Sequence, residues 1–167
     1  MDFNRKADPD SYSDEMPEYP ARTLARHVIF KGTQVGAFLG LGMFAPAYKL
    51  YSKGPMSMAM VRIVPLTTIA GAFAGAGMLY NKHRLGKLDV AGVDDRAYRI
   101  TQNQMQVTVD KYAGCGALAG ATAGVLVGNA TAAVIITTAS AGMALSMGTF
   151  VASKSKLGSQ VREKLSL

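Results

Sequence analysis

Apolar residues are concentrated in long segments that are separated by polar stretches. The first segment runs from about Thr33 to Tyr51 and the second from Met56 to Tyr80, and each is long enough for a helix to cross ~30 Å of hydrocarbon. The third and fourth form one run, Tyr112–Ala152, which as a single helix would be ~60 Å long, about twice that thickness. This run must therefore fold back, and Gly128-Asn129 is the expected turn.

The pattern predicts an all-α membrane protein with four transmembrane helices arranged as two hairpins. The transmembrane domain is expected to cover residues 32–152, between a polar acidic tail (1–31) and a basic C-terminal tail (153–167). The predicted spans are about 33–51, 56–80, 110–128 and 130–152.

The polar stretch 81–108 is the only long connection between predicted spans. Within it, the Asp94-Asp95 pair is typical of a helix N-cap, and residues 96–109 contain neither Gly nor Pro. We therefore expect a helix that begins there, outside the membrane, and continues into the third span. In the second span, Pro65 is expected to kink the helix or to end its first turn.

Small residues recur at every fourth position of the predicted spans. The glycines with this spacing are Gly32, Gly36 and Gly40 in the first span, Gly71 and Gly75 in the second, and Gly116, Gly120, Gly124 and Gly128 in the third. Ser140, Ala144 and Gly148 repeat the spacing more weakly in the fourth. A period of four places small residues on one helix face, where another backbone can approach closely. The spacing does not distinguish packing within the chain from packing against another subunit.

The overall composition resembles that of a soluble domain until the positions of the charges are considered. Hydrophobic residues make up 49% of the chain and charged residues 17%. A soluble domain carries a charge every few residues, whereas the four apolar segments are nearly free of charge. The 18 glycines and the many alanines also favour closely packed membrane helices, because these residues bury little apolar area in a water-soluble core.

The first 31 residues contain six of the 11 acidic residues, which are Asp2, Asp8, Asp10, Asp14, Glu15 and Glu18. A mitochondrial or plastid presequence is poor in acids, and a secretory signal has an apolar core near its start, so neither is predicted. Any organellar address is then expected within the mature chain. A free tail of this composition is disordered, so we expect a partner to hold it.

Lys and Arg residues cluster at one end of the predicted bundle. All except Lys49, Lys53 and Arg62 flank the end that the termini and the 81–108 connection share. The positive-inside rule would place that end toward the cytosol, or toward the matrix in mitochondria. The net charge of +7 is attributed to anionic lipid headgroups rather than to nucleic acid, because no RNA-binding aromatic motif or phosphate-binding loop accompanies it.

Four cations near the predicted membrane surface are candidate contacts for lipid or for a partner subunit, namely Arg62, Lys49, Lys53 and Lys111. Arg62 lies roughly 9 Å into the second span, a depth from which its side chain can snorkel to the interface. An acidic group on a partner and an anionic lipid such as cardiolipin are the alternative explanations of its position. Asp110 and Lys111 are expected to form an interfacial ion pair at the entrance of the third span.

The sequence predicts no catalytic, cofactor-binding or metal-binding residues. Its single cysteine, Cys115, excludes an internal disulfide and a cysteine-based metal site, and His27 and His83 lie outside the apolar segments. No nucleophile–base–acid set is recognisable. We therefore expect a protein that is not itself an enzyme and that carries no cofactor.

The Gly-rich segments, the polar connection after the second of them and the GxxxG-rich third resemble the mitochondrial TIM translocase channel superfamily. Within it, the chain is most similar to the four-helix accessory membrane subunit of respiratory complex I. The residues that carry the resemblance are Ala47-Tyr48-Lys49, the Gly71–Gly77 run, Tyr112, Gly114-Cys115-Gly116 and Gly120. Translocase members have an Arg-x-x-x-Asp element where this chain has Gln106 and Asp110, and several have paired cysteines that this chain lacks.

The resemblance implies a non-catalytic accessory subunit of complex I, a multi-pass protein of the mitochondrial inner membrane that stabilises the membrane arm through helix packing and lipid contacts. Its partners would be other membrane subunits and an anionic lipid such as cardiolipin, without nucleic acid. Two alternatives stay open: a translocase or solute channel of the TIM type, and an accessory subunit of another mitochondrial complex such as ATP synthase. Members of the family are thought to present both termini to the intermembrane space, which is opposite to the positive-inside prediction, so the orientation also stays open.

Overall fold

The computed structural model describes residues 1–7, 16–127 and 131–154, and within these ranges the regular secondary structure is entirely helical. The helices are α1 (Pro20–Leu39), α2 (Ala45–Ser52), α3 (Met56–Arg84), α4 (Val90–Gln102), α5 (Gln104–Leu126) and α6 (Ala132–Lys154). A π-helical turn, Gly40–Phe44, joins α1 to α2. The predicted all-α class is confirmed. The expected turn at Gly128-Asn129 and nearly all of the predicted C-terminal tail lie outside the described residues.

Three helical stretches are long and apolar enough to cross a membrane: Pro20–Ser52, Met56–Arg84 and Ala132–Lys154. The protein therefore has the character of an integral membrane protein. The predicted third span is helical as part of α5, but it falls outside this set because it is built mainly from Gly and Ala and begins with Asp110 and Lys111. A fourth crossing, and with it the two-hairpin topology, stays a prediction.

Two prolines are accommodated within long continuous helical stretches, Pro46 in Pro20–Ser52 and Pro65 in Met56–Arg84. Pro46 has no N–H, so the preceding turn cannot be closed by the usual α-helical hydrogen bond. The chain widens there instead, and the Ala45 N–H donates to the Gly40 carbonyl across the π-helical turn. Pro65 lies within α3, which continues from Met56 to Arg84, so it does not end the helix after its first turn as one of the two expectations had it.

The polar connection contains a separate helix rather than an extension of α5. Asp89, and not the Asp94-Asp95 pair, caps α4, because its carboxylate accepts a hydrogen bond of 2.8 Å from the Gly92 N–H. The chain then breaks at Asn103, whose side chain caps α5 by accepting a hydrogen bond of 3.1 Å from the Gln106 N–H. The predicted cap and the predicted continuous helix are therefore both wrong, since local side-chain caps start each helix separately.

The long helices pack as two antiparallel pairs, the first formed by α1–α2 with α3 and the second by α5 with α6. α6 also contacts α1 and α3, whereas α5 lies at the edge and packs mainly against α6. Thr68 of α3 and Ser140 of α6 join the pairs through a buried hydrogen bond of 3.0 Å between their hydroxyls. We call the end where α1 and α5 begin the proximal end, and the end where α2 ends and α3 begins the distal end.

A small hydrophobic cluster closes the proximal end. Its buried members come from α1, the end of α3, α4 and the loop between α3 and α4, and they are Ala21, Leu24, Leu79, Leu88 and Val93. Because α1 already begins at Pro20, the second part of the predicted tail is helical and contributes to this cluster. Proline suits the first turn of a helix, where its missing N–H has no partner to lose.

Candidate functional site

The glycines of the first pair lie where the backbones of α1 and α3 approach most closely. A Cβ added at Gly32 or at Gly71 would collide with the carbonyl of the other, and one at Gly36 would collide with the Thr67 carbonyl. A Cβ at Gly75 would lie 2.7 Å from the Val28 carbonyl oxygen. These glycines therefore set the distance between the two helices, since any side chain would push the backbones apart.

The second pair repeats this arrangement. Gly116 lies against the Gly142 carbonyl and the Ser146 side chain, and Gly120 lies against the Thr138 carbonyl. Gly40 in the first pair and Gly124 in the second each face a threonine hydroxyl on the neighbouring helix, from Thr67 and Thr138 respectively. Gly128 lies outside the described residues. Gly32, Gly36 and Gly40 thus occupy the same positions relative to α3 that Gly116, Gly120 and Gly124 occupy relative to α6.

The packing face of α6 is different from the one that the sequence suggested. Thr138, Gly142 and Ser146 face α5, whereas nothing lies within 4 Å of a Cβ added at Gly148. Ser140 faces α3 instead, through its bond to Thr68. The sequence carried a signal for the correct face, because Thr138, Gly142 and Ser146 are also spaced by four.

A cluster of polar side chains links the middle of α1 to the first two turns of α5. The Asp110 carboxylate lies 2.5 Å from the Lys31 ammonium and 3.3 Å from the His27 ring. The buried Gln34 amide donates to the same carboxylate at 3.0 Å, and its oxygen accepts a hydrogen bond of 3.1 Å from Lys31. Gln106 completes the cluster through a hydrogen bond of 2.9 Å to the other His27 nitrogen.

This cluster corrects the predicted pairing of Asp110. Its ionic partner is Lys31 on another helix, with the His27 ring beside the same carboxylate, whereas Lys111 is exposed on α5. Neighbouring residues on a helix point in directions roughly 100° apart, so adjacency in the sequence does not favour a contact. The Lys31 and Asp110 side chains are only partly exposed, so their ion pair is partly shielded from water. The cluster therefore fixes α1 relative to α5 at a place where few other contacts join the two helices.

The first seven residues are held by the chain itself. Arg5 forms an ion pair with the buried Asp94 of α4, and the Arg22 side chain donates to the Phe3 carbonyl at 2.9 Å. The expectation that a partner must hold the tail is therefore wrong for residues 1–7, since contacts within the chain order them. Residues 8–15 lie outside the described residues.

Lys6 and Glu18 form a further ion pair in this segment, with 2.9 Å between their charged atoms. The hydrogen bond from Lys6, together with its positive charge, lowers the pKa of the Glu18 carboxyl. Both side chains are well exposed to solvent, so this pair contributes little to the free energy of folding.

The distal end carries the other candidate contacts. Arg62 donates a hydrogen bond of 3.1 Å to the Tyr48 hydroxyl, and Lys49 and Lys53 are exposed nearby in the sequence. An open, mainly apolar groove of about 480 Å³ lies between α2 and α3, lined by Phe44, Ala47, Tyr48, Tyr51, Ile63, Leu66 and Thr67. Lys111 is not part of this region, because it lies at the proximal end.

The described residues hold no group of three or more His, Cys, Asp or Glu side chains placed to bind a metal ion. Cys115 is exposed on α5. The site features are thus two close helix contacts, one polar cluster at the proximal end, and an apolar-lined groove at the distal end with Arg62 beside it.

No curated protein matches the sequence. A family profile described as "Protein of unknown function (DUF1757)" matches residues 9–140, a range that extends from the N-terminal segment into α6. Because this match covers well over half of the chain, the protein belongs to the DUF1757 family.

Proposed function

We propose that the protein is a non-catalytic structural subunit of a larger membrane complex. The observation that carries this proposal is how little of its apolar helix surface is covered. Within an apolar 18-residue part of each stretch, only 28% is buried in Pro20–Ser52, 28% in Met56–Arg84 and 17% in Ala132–Lys154. Two closely packed helix pairs leave broad outward faces, which suit contact with other membrane subunits and with lipid.

The proposed topology has four spans arranged as two hairpins, with α5 as the fourth crossing. Its apolar part has the length of a span, and its polar first turns contact α1 at His27. The repeated contact of the two pairs supports this arrangement, because the glycines of α5 approach the backbone of α6 in the same way that the glycines of α1 approach the backbone of α3. Asp110 and Lys31 would then lie near the membrane surface, where a paired charge is tolerated.

The complex that we propose is respiratory complex I of the mitochondrial inner membrane, with the protein as an accessory subunit that stabilises the membrane arm. This assignment rests on the resemblance of the Gly-rich segments and of the residues around Tyr48 and Gly116. Subunits of this kind act by packing against core subunits and by holding lipid, without redox chemistry of their own. An accessory role in another mitochondrial complex, such as ATP synthase, rests on the same features.

Native electrophoresis of gently solubilised membranes tests the proposal. The protein should migrate at the mass of an assembled respiratory complex and should co-purify with the NADH dehydrogenase activity. Migration with ATP synthase activity would favour the other complex, and migration as a small free oligomer would contradict a role as a complex subunit.

A channel or translocase of the TIM type is a second candidate. The polar cluster around Asp110 and Gln34 favours it, because such groups between helices also occur along conducting pathways. Reconstituted protein would then produce ion currents across a planar bilayer. A silent bilayer with the protein inserted would count against this candidate.

A further inference from the structure

We infer that Arg62, Tyr48 and the distal groove form a binding site for one anionic phospholipid, with the phosphate at Arg62 and one acyl chain in the groove. This inference rests on the first helix pair crossing the membrane. It does not depend on which complex the protein joins.

The guanidinium of Arg62 is held by one hydrogen bond and has further N–H donors available for a ligand. Its side chain is exposed on α3, and among the described residues its hydrogen-bond partner is the Tyr48 hydroxyl, at 3.1 Å. A guanidinium carries five N–H donors, and a neutral hydroxyl uses one of them without balancing the charge. A phosphate accepts two such bonds side by side, which makes it a suitable ligand for Arg.

The groove continues from this pair toward the middle of the helices. Leu66 lies one turn beyond Arg62 on the same face of α3, and Phe44 lies one turn before Tyr48 on the facing helix. Both residues line the groove and both are exposed. A lipid with its phosphate at Arg62 would therefore extend its chain over Leu66 and Phe44, in the direction of the bilayer centre.

The charge of the distal end favours an anion that comes from outside the chain. No Asp or Glu occurs between Glu18 and Asp89, so α2, the following turn and the start of α3 carry only the positive charges of Lys49, Lys53 and Arg62. A phospholipid is favoured over an acidic residue of a partner, because the surface next to Arg62 is an apolar groove that suits an acyl chain.

The test measures lipid binding to the full-length purified protein by native mass spectrometry. Phosphatidylglycerol and phosphatidylcholine with identical chains are compared, and cardiolipin is a third probe. The wild type should retain phosphatidylglycerol in preference to phosphatidylcholine. Arg62→Gln should weaken phosphatidylglycerol binding by about tenfold, the loss expected for a charge-assisted hydrogen bond.

Three further variants show whether the loss is specific. Arg62→Lys should keep much of the preference because it keeps the charge, and Tyr48→Phe should lose part of it. Lys87→Gln, in the exposed loop between α3 and α4 at the other end, should leave it unchanged. Leu66→Ser should weaken binding of both lipids, because it makes the groove polar.

Several outcomes would overturn the inference. One is equal phosphatidylglycerol binding by the wild type and by Arg62→Gln. The Arg62→Lys variant serves as the control that the protein still folds when this position is changed. Another is thermal stabilisation by inorganic phosphate alone as large as that by phosphatidylglycerol, which would make the groove irrelevant. An Arg62→Gln protein that binds lipid normally but no longer migrates with the native complex would assign Arg62 to an acidic partner.

Migration of the wild type as a small oligomer would contradict the proposed complex and would leave the lipid site standing.

Discussion

The hydroxyls of Thr68 and Ser140 lie 3.0 Å apart in the contact between α3 and α6, and both residues are buried. One hydroxyl donates and the other accepts, so removing either one leaves its partner without this hydrogen bond in an apolar surrounding. We predict that Thr68→Val, which nearly keeps the shape, lowers the free energy of unfolding by about 0.6–1.7 kcal/mol, as found for such bonds between membrane helices. Unfolding in mixed micelles measures the change.

A double-mutant cycle separates this bond from other effects. Thr68→Val combined with Ser140→Ala should lose less than the sum of the single changes, because the second substitution removes a group that is already unpaired. Thr122→Val is the matched control, since the exposed Thr122 bonds to the Leu118 carbonyl of its own helix. Strict additivity of the two single changes would refute a coupling between the hydroxyls.

Gly71 and Gly77 offer a matched comparison within one helix. A Cβ at Gly71 would collide with the Gly32 carbonyl, whereas nothing lies within 4 Å of a Cβ at Gly77. Gly71→Ala should therefore destabilise the protein by about 1–3 kcal/mol, as overpacking does. Gly77→Ala should be neutral or stabilising by up to about 1 kcal/mol, because Ala is the better helix former. Similar unfolding temperatures for the two variants would contradict this role of Gly71.

The polar cluster at the proximal end should contribute more to the free energy of unfolding than an exposed ion pair does. Asp110→Asn removes the charge that faces Lys31 and His27, and we expect it to destabilise the protein by about 1–2 kcal/mol. Asp95→Asn is the control, because Asp95 pairs with Arg99 at the surface of α4, where such a pair contributes less than about 0.5 kcal/mol. If both changes shift the unfolding midpoint equally, the cluster does not fasten α1 to α5.

The contact between Arg5 and Asp94 should hold the N-terminal segment on α4. Arg5→Gln leaves a buried carboxylate without its ionic partner, so amides of α4 should exchange hydrogen faster, by about tenfold or more. Lys6→Gln, in the neighbouring and exposed pair with Glu18, should have little effect. Hydrogen–deuterium exchange of the peptide around Ala97 distinguishes the two variants, and unchanged exchange in Arg5→Gln would show that α4 is held by other contacts.

Much of the helical class follows from the apolar pattern, because long apolar runs leave few other ways to satisfy the backbone in a membrane. The period of four also defines one face on each of α1, α3 and α5. In α6, however, small residues occur on two faces with the same spacing. Only the position of α5 decides that Thr138 and Gly142, rather than Gly148, form the contact.

The polar contacts were harder to predict because their partners are distant in the sequence. Asp110 is next to Lys111 in the sequence but pairs with Lys31, from the first helix. The Asp94-Asp95 pair is typical of an N-cap, yet the Asp94 carboxylate pairs with Arg5. The cap of α4 is Asp89 instead. Such pairings depend on how the elements pack, and a local pattern holds no information about that.

The close glycine approaches between the described helices all lie within a pair, and polar side chains link one pair to the other. The members of each pair are also near neighbours along the chain, with only residues 53–55 between α2 and α3. The first pair can therefore close during synthesis, before the second pair exists, because short-range contacts form early. We expect an order of folding in which α5 and α6 close next. The two finished halves then dock through Thr68 and Lys31, so a fault in docking would leave both halves folded but separate.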